Sequence, residues 1–169
     1  MIRRLSGTIP SLFEGEPRMK SIRVAVCLAV IFLIFAASGR AQSAPDKAYL
    51  QKIWDGWQTL NADNQTQYYA QGPHQFFDIA PVKYNNWDEY KKTVGEDLAQ
   101  YSKATFKIND DAQIHKAGDI YWGSCTIDSD MLRKDGKSEK NTFRWTFIFQ
   151  KQNGKWLIVH EHVSMAMPS

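Results

Sequence analysis

The stretch that decides the fold lies near the C-terminus and reads Asn153-Gly154-Lys155-Trp156-Leu157-Ile158-Val159-His160-Glu161-His162-Val163-Ser164. Asn-Gly is a dipeptide that tight β-hairpins favour, and the residues after it alternate with the period of two of a strand. Strict alternation places on one face Trp156, Ile158, His160, His162 and Ser164. The other face would carry Leu157, Val159, Glu161 and Val163. The pattern therefore predicts a terminal strand over 155–164 that presents two histidines side by side.

Three further strands are predicted before this one, over 104–115, 120–130 and 139–151. The dipeptides Gly118-Asp119 and Asp135-Gly136 lie between them and are also typical of hairpin turns. One strand places four aromatic residues on a single face: Phe143, Trp145, Phe147 and Phe149. Four strands joined by tight turns predict an antiparallel meander, which helices must cover on one face.

The preceding residues have helical periodicity. Ser43-Ala44-Pro45-Asp46 combines a cap residue, an early proline and an acidic residue, which favour the start of a helix. The apolar face of that helix comprises Leu50, Ile53, Trp54, Trp57 and Leu60. The residues that follow predict a short helix over 66–70 and a short strand over 76–78. A further helix is predicted to begin at Asn86-Trp87-Asp88-Glu89, which resembles a capping box. The predicted fold class is α+β.

The N-terminal region has the pattern of a secretory signal peptide. An unbroken run of 14 apolar residues spans 24–37, with Lys20 and Arg23 before it and small residues after it. As a helix the run spans roughly 21 Å, which is short for a bilayer core. We expect cleavage after Ala41 or Ser43, which leaves a periplasmic or secreted domain over 42–169. Translation could begin at Met19 as an alternative to Met1. The competing interpretation is that the apolar run is not cleaved and anchors the protein in the membrane. If it is cleaved, the protein has no stable membrane anchor.

The net positive charge of the chain comes from the same N-terminal region, residues 1–41. The chain carries a formal net charge of +3, but residues 1–41 hold six basic and two acidic side chains, so the remainder carries −1. A partner such as nucleic acid is therefore disfavoured. Cys125 is the single cysteine after position 41, which excludes an intramolecular disulfide there and favours a small buried strand residue.

Four polar side chains are candidates for chemistry, and each has a structural alternative. His160 and His162 could share a metal if His74, His115 or Asp78 supplied a third ligand, could contact a ligand, or could be partly buried side chains satisfied by neighbouring strands. Asp78 follows two phenylalanines and could be a proton-abstracting base, or could cap the loop that follows it. Arg144 could bind an anionic group or form a cross-strand pair with Glu161.

The element order and the ending Gly-Lys-Trp-x-x-Val-His-x-His-x-Ser resemble the SnoaL-like branch of the nuclear transport factor 2-like superfamily. They also resemble the association domain of calcium/calmodulin-dependent protein kinase II and its bacterial relatives. The similarity covers about residues 46–168. It implies a cone-shaped α+β fold, in which helices pack on a curved antiparallel sheet with a pocket at the open end. It also implies a homodimer or a larger ring formed through the sheet.

Members of this superfamily include ketosteroid isomerases, polyketide cyclases, dehydratases and non-catalytic assembly domains. By resemblance, Asp78 falls near the isomerase general base, while His160, His162 and Ser164 match the association-domain motif and would border the pocket. The isomerase's oxyanion tyrosine would fall near Gly56-Trp57 and its oxyanion acid within 143–149, where this chain has neither. The resemblance therefore does not imply steroid isomerisation.

These observations predict an exported, pocket-bearing homodimer that binds a small, largely apolar molecule and has groups for isomerase-, cyclase- or dehydratase-like acid–base chemistry. Asp78 and His162 are the candidate catalytic residues. The candidate ligand contacts are Trp54, Tyr69, Trp122, Arg144 and His160. No cofactor, metal or nucleic-acid partner is predicted. The alternative function is a non-catalytic homo-oligomeric association module.

Overall fold

The computed structural model describes residues 44–166, which begin with helix α1, Lys47–Trp57. Asp46 is the N-cap of α1, and its carboxylate accepts a hydrogen bond from the Tyr49 backbone N–H at 2.8 Å. The predicted helix start is thus confirmed, with the acid itself as the cap. The predicted signal peptide and its cleavage site lie outside the described residues. Within 44–166, no helix has both the length and the apolar character needed to cross a membrane.

The segment after α1 contains the short elements predicted there, with shifted bounds. A 3-10 helix spans Ala62–Tyr68, strand β1 spans Phe76–Phe77, and helix α2 spans Trp87–Leu98. The Asn86 side chain caps α2 by accepting a hydrogen bond from the Glu89 backbone N–H at 2.9 Å. The Glu89 carboxylate in turn accepts a hydrogen bond from the Asn85 backbone N–H. Two backbone N–H groups at the start of α2 are thus satisfied by reciprocal side-chain acceptors, as in a capping box.

Five further strands complete the sheet: β2 Tyr101–Ile108, β3 Gln113–Ala117, β4 Ile120–Arg133, β5 Ser138–Gln152 and β6 Lys155–Met165. The strand order is β1-β6-β5-β4-β2, and β3 also pairs with β4. The single strand predicted over 104–115 is wrong, because a turn at Asp110-Asp111 divides it into β2 and β3. Asp111 holds that turn against β4 by accepting from the Thr126 backbone N–H at 3.0 Å.

The sheet is mixed rather than purely antiparallel, because β1 runs parallel to β6. The other pairings are antiparallel, as predicted for a meander. Helices α1 and α2 pack against the inner face of this curved sheet, which confirms the predicted α+β cone. The buried core between these layers includes Leu50, Ile53, Trp87, Trp145 and Phe147.

A β-bulge in β6 overturns the predicted distribution of its side chains. Ile158 pairs with Phe149 and His160 pairs with Ile148, which leaves Val159 as the extra residue. Trp156 and Ile158 therefore face inward before the bulge, while Glu161 and Val163 face inward after it. The prediction that both histidines share a face with Trp156 and Ile158 is wrong, since strict alternation does not survive an inserted residue.

Candidate functional site

A cavity of about 330 Å³ lies between the two helices, the loop after β1 and the inner face of the sheet. Its walls are mostly aromatic and aliphatic, and its polar side chains come from α2 and the residues after it, the loop after β1, and the three strands β2, β4 and β6. The lining residues are Trp54, Trp57, Asp78, Ile79, Ala80, Tyr90, Val94, Asp97, Leu98, Gln100, Tyr101, Phe106, Met131, Arg133, Phe143, Glu161 and Val163. This volume is at the lower end of the range found for small-molecule sites.

Glu161 is the most deeply buried charged group of the cavity, with 1% of its surface exposed. The Tyr69 hydroxyl donates a hydrogen bond to its Oε1 at 2.7 Å, and the Trp145 indole N–H donates to its Oε2 at 2.7 Å. Burial raises the pKa of Glu161 to about 7, although these donors act in the opposite direction. The carboxyl group is therefore positioned by two fixed donors and changes protonation state near neutral pH.

Asp78 lies on the loop directly after β1 and also borders the cavity. Its Oδ1 accepts a hydrogen bond from the Ile79 backbone N–H at 2.7 Å, which confirms the loop-capping interpretation. Burial raises the pKa of Asp78 to about 6, and the negative charge of Asp97 acts in the same direction. The cap and the candidate base are thus compatible, because the bond engages one oxygen, while the role as base stays a prediction.

Tyr90 connects the two carboxyl groups from helix α2. Its hydroxyl interacts with both groups and lowers the pKa of Asp78 and of Glu161; its single proton can be donated to only one of them at a time. Burial, together with both carboxylates, raises the pKa of Tyr90 well above its ordinary value. Tyr90 therefore remains a neutral donor whenever either carboxyl group is ionised.

The basic group of the cavity, Arg133, is engaged by its neighbours. Its guanidinium donates to the Tyr101 hydroxyl at 3.2 Å and to the Gln100 side chain, and lies 3.5 Å from a carboxylate oxygen of Glu139. The Tyr101 hydroxyl itself donates to the other Glu139 oxygen at 2.9 Å. This cluster joins β2, β4 and β5 at one side of the cavity.

The structure brings two of the predicted site residues, Asp78 and Trp54, to the cavity wall. Trp54 packs edge-on against Phe106 and Trp145, and its indole N–H has no hydrogen-bond partner within the described residues. Tyr69 does not line the cavity. It lies behind it, fully buried and stacked on Trp87, where it acts on Glu161.

The other four predicted site residues lie on the outer face of the sheet, away from the cavity. His160 contacts the Gln75 carbonyl through Nδ1 at 2.8 Å, and both His160 and His162 pack edge-on against Phe77. Trp122 is 48% exposed and stacks on His115. Arg144 donates to the Met165 carbonyl rather than pairing with Glu161, which faces inward.

A shared metal at the two histidines also lacks a third ligand in this geometry. Within residues 44–166, no group of three His, Cys, Asp or Glu side chains converges as a metal site. Cys125 is buried, as predicted, and burial raises the pKa of its thiol to about 12. The thiol is thus held in its protonated, unreactive form at neutral pH.

Sequence reasoning missed Glu161 and Tyr90 as functional candidates. Helical spacing places Tyr90 with Trp87 and Val94 on the apolar side of α2, and that pattern does not indicate that its hydroxyl interacts with carboxyl groups. Glu161 stands in the quoted stretch between the two histidines, and only the bulge makes it the inward residue. An acidic residue flanked by Val159 and Val163 in a strand with aromatic neighbours was the available indication.

Helices packed on a curved, mixed sheet around a cavity with carboxyl groups define a nuclear transport factor 2-like domain. The chain belongs to the SnoaL-like domain family, whose sequence model matches residues 47–168. No protein of curated function is a significant match.

Three solved structures show the likeness of fold. A nuclear transport factor 2-like superfamily protein from Salmonella enterica is 20% identical, with a TM-score of 0.63 over 73% of this chain and 92% of that one. A chain from Xanthomonas campestris, provisionally named a calcium/calmodulin-dependent protein kinase II association domain, is 19% identical, with a TM-score of 0.62 over 75% and 93%. A chain from Streptomyces avermitilis, provisionally named a dehydratase, is 11% identical, with a TM-score of 0.62 over 72% and 95%. At these identities the likeness concerns the fold alone.

Proposed function

We propose that this protein binds a small, largely apolar molecule and catalyses proton transfer on it. One observation carries the proposal: Asp78 and Glu161 border the same mostly apolar cavity, and both have a raised pKa, about 6 and about 7. Groups with such values exchange protons near neutral pH, which is what general acid–base catalysis requires. Trp54 and the other aromatic walls would hold the apolar part of the molecule.

The two carboxyl groups differ in a way that suits two roles. At pH 7, Asp78 is mostly ionised and can take a proton, whereas a substantial fraction of Glu161 is protonated and can give one. With a carbonyl compound, Asp78 would remove the proton from the carbon next to the carbonyl, and the electron pair would move onto the carbonyl oxygen. In an isomerisation, a proton from Glu161 would then go to another carbon of the ligand; in a dehydration it would go to the departing hydroxyl group, which leaves as water. Proton exchange with solvent would then restore ionised Asp78 and protonated Glu161.

The test is exchange of carbon-bound hydrogen for deuterium, because it requires only removal of a proton by Asp78 and return of a deuteron from Glu161. With 2-tetralone in D₂O, we expect the wild type to accelerate exchange over buffer, followed by nuclear magnetic resonance. The variants Asp78→Asn and Glu161→Gln should lose about 100-fold or more of that acceleration. The control Asp119→Asn, in the exposed turn between β3 and β4, should retain it. If Asp78→Asn exchanged as fast as the wild type, Asp78 would not be the base.

A second candidate function, homo-oligomeric association, is favoured by the outer face of the sheet. Phe77, Trp122, Ile148, His160 and His162 lie there on neighbouring strands, and the exposed indole of Trp122 is unusual for a surface that stays in water. The association-domain name of the Xanthomonas campestris chain supports the same proposal. In this arrangement the two histidines would be interface residues rather than pocket contacts.

Sedimentation velocity at micromolar concentration tests this association. We expect a dimer or larger assembly for the wild type and a monomer for Ile148→Glu, because a charge on this face would be buried by the contact. The control Gln67→Glu adds the same charge on the 3-10 helix and should leave the assembly intact. A monomeric wild type would contradict the proposal.

Export of the protein is also proposed, on the pattern of residues 1–41 alone. N-terminal sequencing of protein recovered from the periplasm or medium should begin at Gln42 or Ala44. A full-length chain retained in the membrane fraction would instead favour an uncleaved anchor.

A further inference from the structure

The charges of the cavity do not balance. Three carboxyl groups border it, Asp78, Asp97 and Glu161, against one cationic group, Arg133. Arg133 already forms a salt bridge with Glu139 and donates hydrogen bonds to Tyr101 and Gln100. Within residues 44–166, no salt bridge joins any of the three cavity carboxyl groups to a basic side chain.

The charged neighbours that raise the pKa of Asp78 and Glu161 are themselves carboxyl groups. Asp97 acts on Asp78, and Asp78 acts on Glu161. A buried carboxylate is costly unless it is paired, and hydrogen bonds from Tyr69 and Trp145 supply dipoles but no countercharge. When Asp78 and Glu161 are ionised, they therefore carry negative charge that no basic side chain of the described residues pairs with.

The aromatic walls of the cavity favour a positively charged organic ligand, as its unpaired carboxyl groups do. Trp54, Trp57, Tyr90 and Phe106 present aromatic rings to the space that the carboxyl groups border. Aromatic faces attract organic cations, and tryptophan does so most strongly when the cation is removed from water. A metal ion would instead require converging ligands, and no group of three His, Cys, Asp or Glu side chains converges in this way among the described residues.

We infer that the molecule bound in this cavity carries a positively charged nitrogen, held between the aromatic walls and the carboxyl groups of Asp78 and Glu161. The inference rests on the proposed small-molecule function and narrows it to one chemical class, an apolar ammonium compound. Such a ligand supplies the missing countercharge. By the same attraction it favours the ionised forms of both Asp78 and Glu161, so with such a ligand the proton that Asp78 takes up is also the one that returns.

The test compares three probes of similar size and different charge at pH 8: benzyltrimethylammonium, its neutral carbon isostere neopentylbenzene, and the anion phenylacetate. Affinities are measured by tryptophan fluorescence and by nuclear magnetic resonance of the indole N–H signals. We expect the wild type to bind the cation about tenfold or more tightly than either other probe. Glu161→Gln should reduce the cation's affinity about tenfold and leave that of neopentylbenzene unchanged.

Two further variants keep the result interpretable. Asp78→Asn should weaken the cation selectively as well, and it replaces Glu161→Gln if that variant does not fold. Asp119→Asn removes the same charge from an exposed turn and should change nothing. Equal or tighter binding of the neutral or anionic probe would overturn the cation inference while leaving small-molecule binding in place. If none of the three probes bound, both the inference and the proposed function would fail.

Discussion

Glu161 shows how one buried carboxyl group can be both costly and fixed in place. Its two oxygens are each engaged at 2.7 Å by a donor from a different element, Tyr69 after the 3-10 helix and Trp145 on β5. In the sequence, its apolar neighbours Val159 and Val163 were the one indication of this role, and the two flanking histidines were the more recognisable chemistry. Asp78 was identifiable from sequence, since an acid that follows two phenylalanines is recognisable without the fold.

At the residue scale, the raised pKa of Glu161 predicts a pH-dependent stability. The folded state raises this pKa from its ordinary 4.5 to about 7, so the folded state binds the proton more tightly than the unfolded chain does. The resulting stabilisation is complete below pH 4.5 and is lost as pH rises through about 7. The free energy of unfolding should therefore fall by up to about 3 kcal/mol from this group between pH 4.5 and 8.

Urea unfolding of the wild type and Glu161→Gln at a series of pH values measures this contribution. The Gln variant should have the shallower decline, because its amide does not titrate. Its absolute stability is a poorer criterion, since the amide cannot accept from both Tyr69 and Trp145 as the carboxylate does. Identical pH slopes for the two proteins would mean that Glu161 titrates at its ordinary value.

At the element scale, the hairpin dipeptides and the 3.6-residue and two-residue periods were sufficient to predict most helices and strands. The β-bulge was not predictable in this way, because Val159 and His160 fit an alternating pattern as well as a bulged one. What decides the matter is burial on the two sides of the bulge: Trp156 and Ile158 before it and Val163 after it all belong in the core. The parallel pairing of β1 with β6 was likewise beyond reach, because it joins residues far apart in the chain.

The N-cap of α2 gives an element-scale prediction. Asn86→Ala removes the acceptor of the Glu89 backbone N–H and should lower the free energy of unfolding by about 1 kcal/mol. Because α2 carries Tyr90, Val94 and Leu98 to the cavity, the same change should also weaken probe binding. Chemical denaturation checks the first effect. Asn86→Ser, which keeps a cap acceptor without adding a charge beside Glu89, should behave nearly like the wild type, and an equal loss in both variants would show that the cap is not the cause.

At the scale of the whole molecule, the sheet separates two proposed functions onto its two faces. The inner face holds the cavity and its carboxyl groups, and the outer face holds the aromatic and histidine side chains that would join copies of the chain. The family and the cone-shaped fold were predictable from the C-terminal stretch and the order of elements. The side chains that line the cavity were not predictable, because the bulge in β6 and the packing of α2 decide which of them face inward.

This separation predicts that assembly and cavity chemistry can be altered independently. Ile148→Glu, designed to prevent association, should leave deuterium exchange and probe binding within about twofold of the wild type, because Ile148 faces away from the cavity. Parallel loss of assembly and of binding would instead show that the cavity is complete only in the oligomer.

The most direct test of the central claim is a ¹³C nuclear magnetic resonance titration of protein labelled at the Asp and Glu carboxyl carbons. The Asp78→Asn and Glu161→Gln variants identify the two cavity resonances. We expect these two to titrate as a coupled pair, with apparent midpoints near 6 and near 7, while exposed carboxyl groups titrate near 4. If every carboxyl group titrated near 4, the cavity would not hold a proton-transfer pair, and the account of its function would be contradicted.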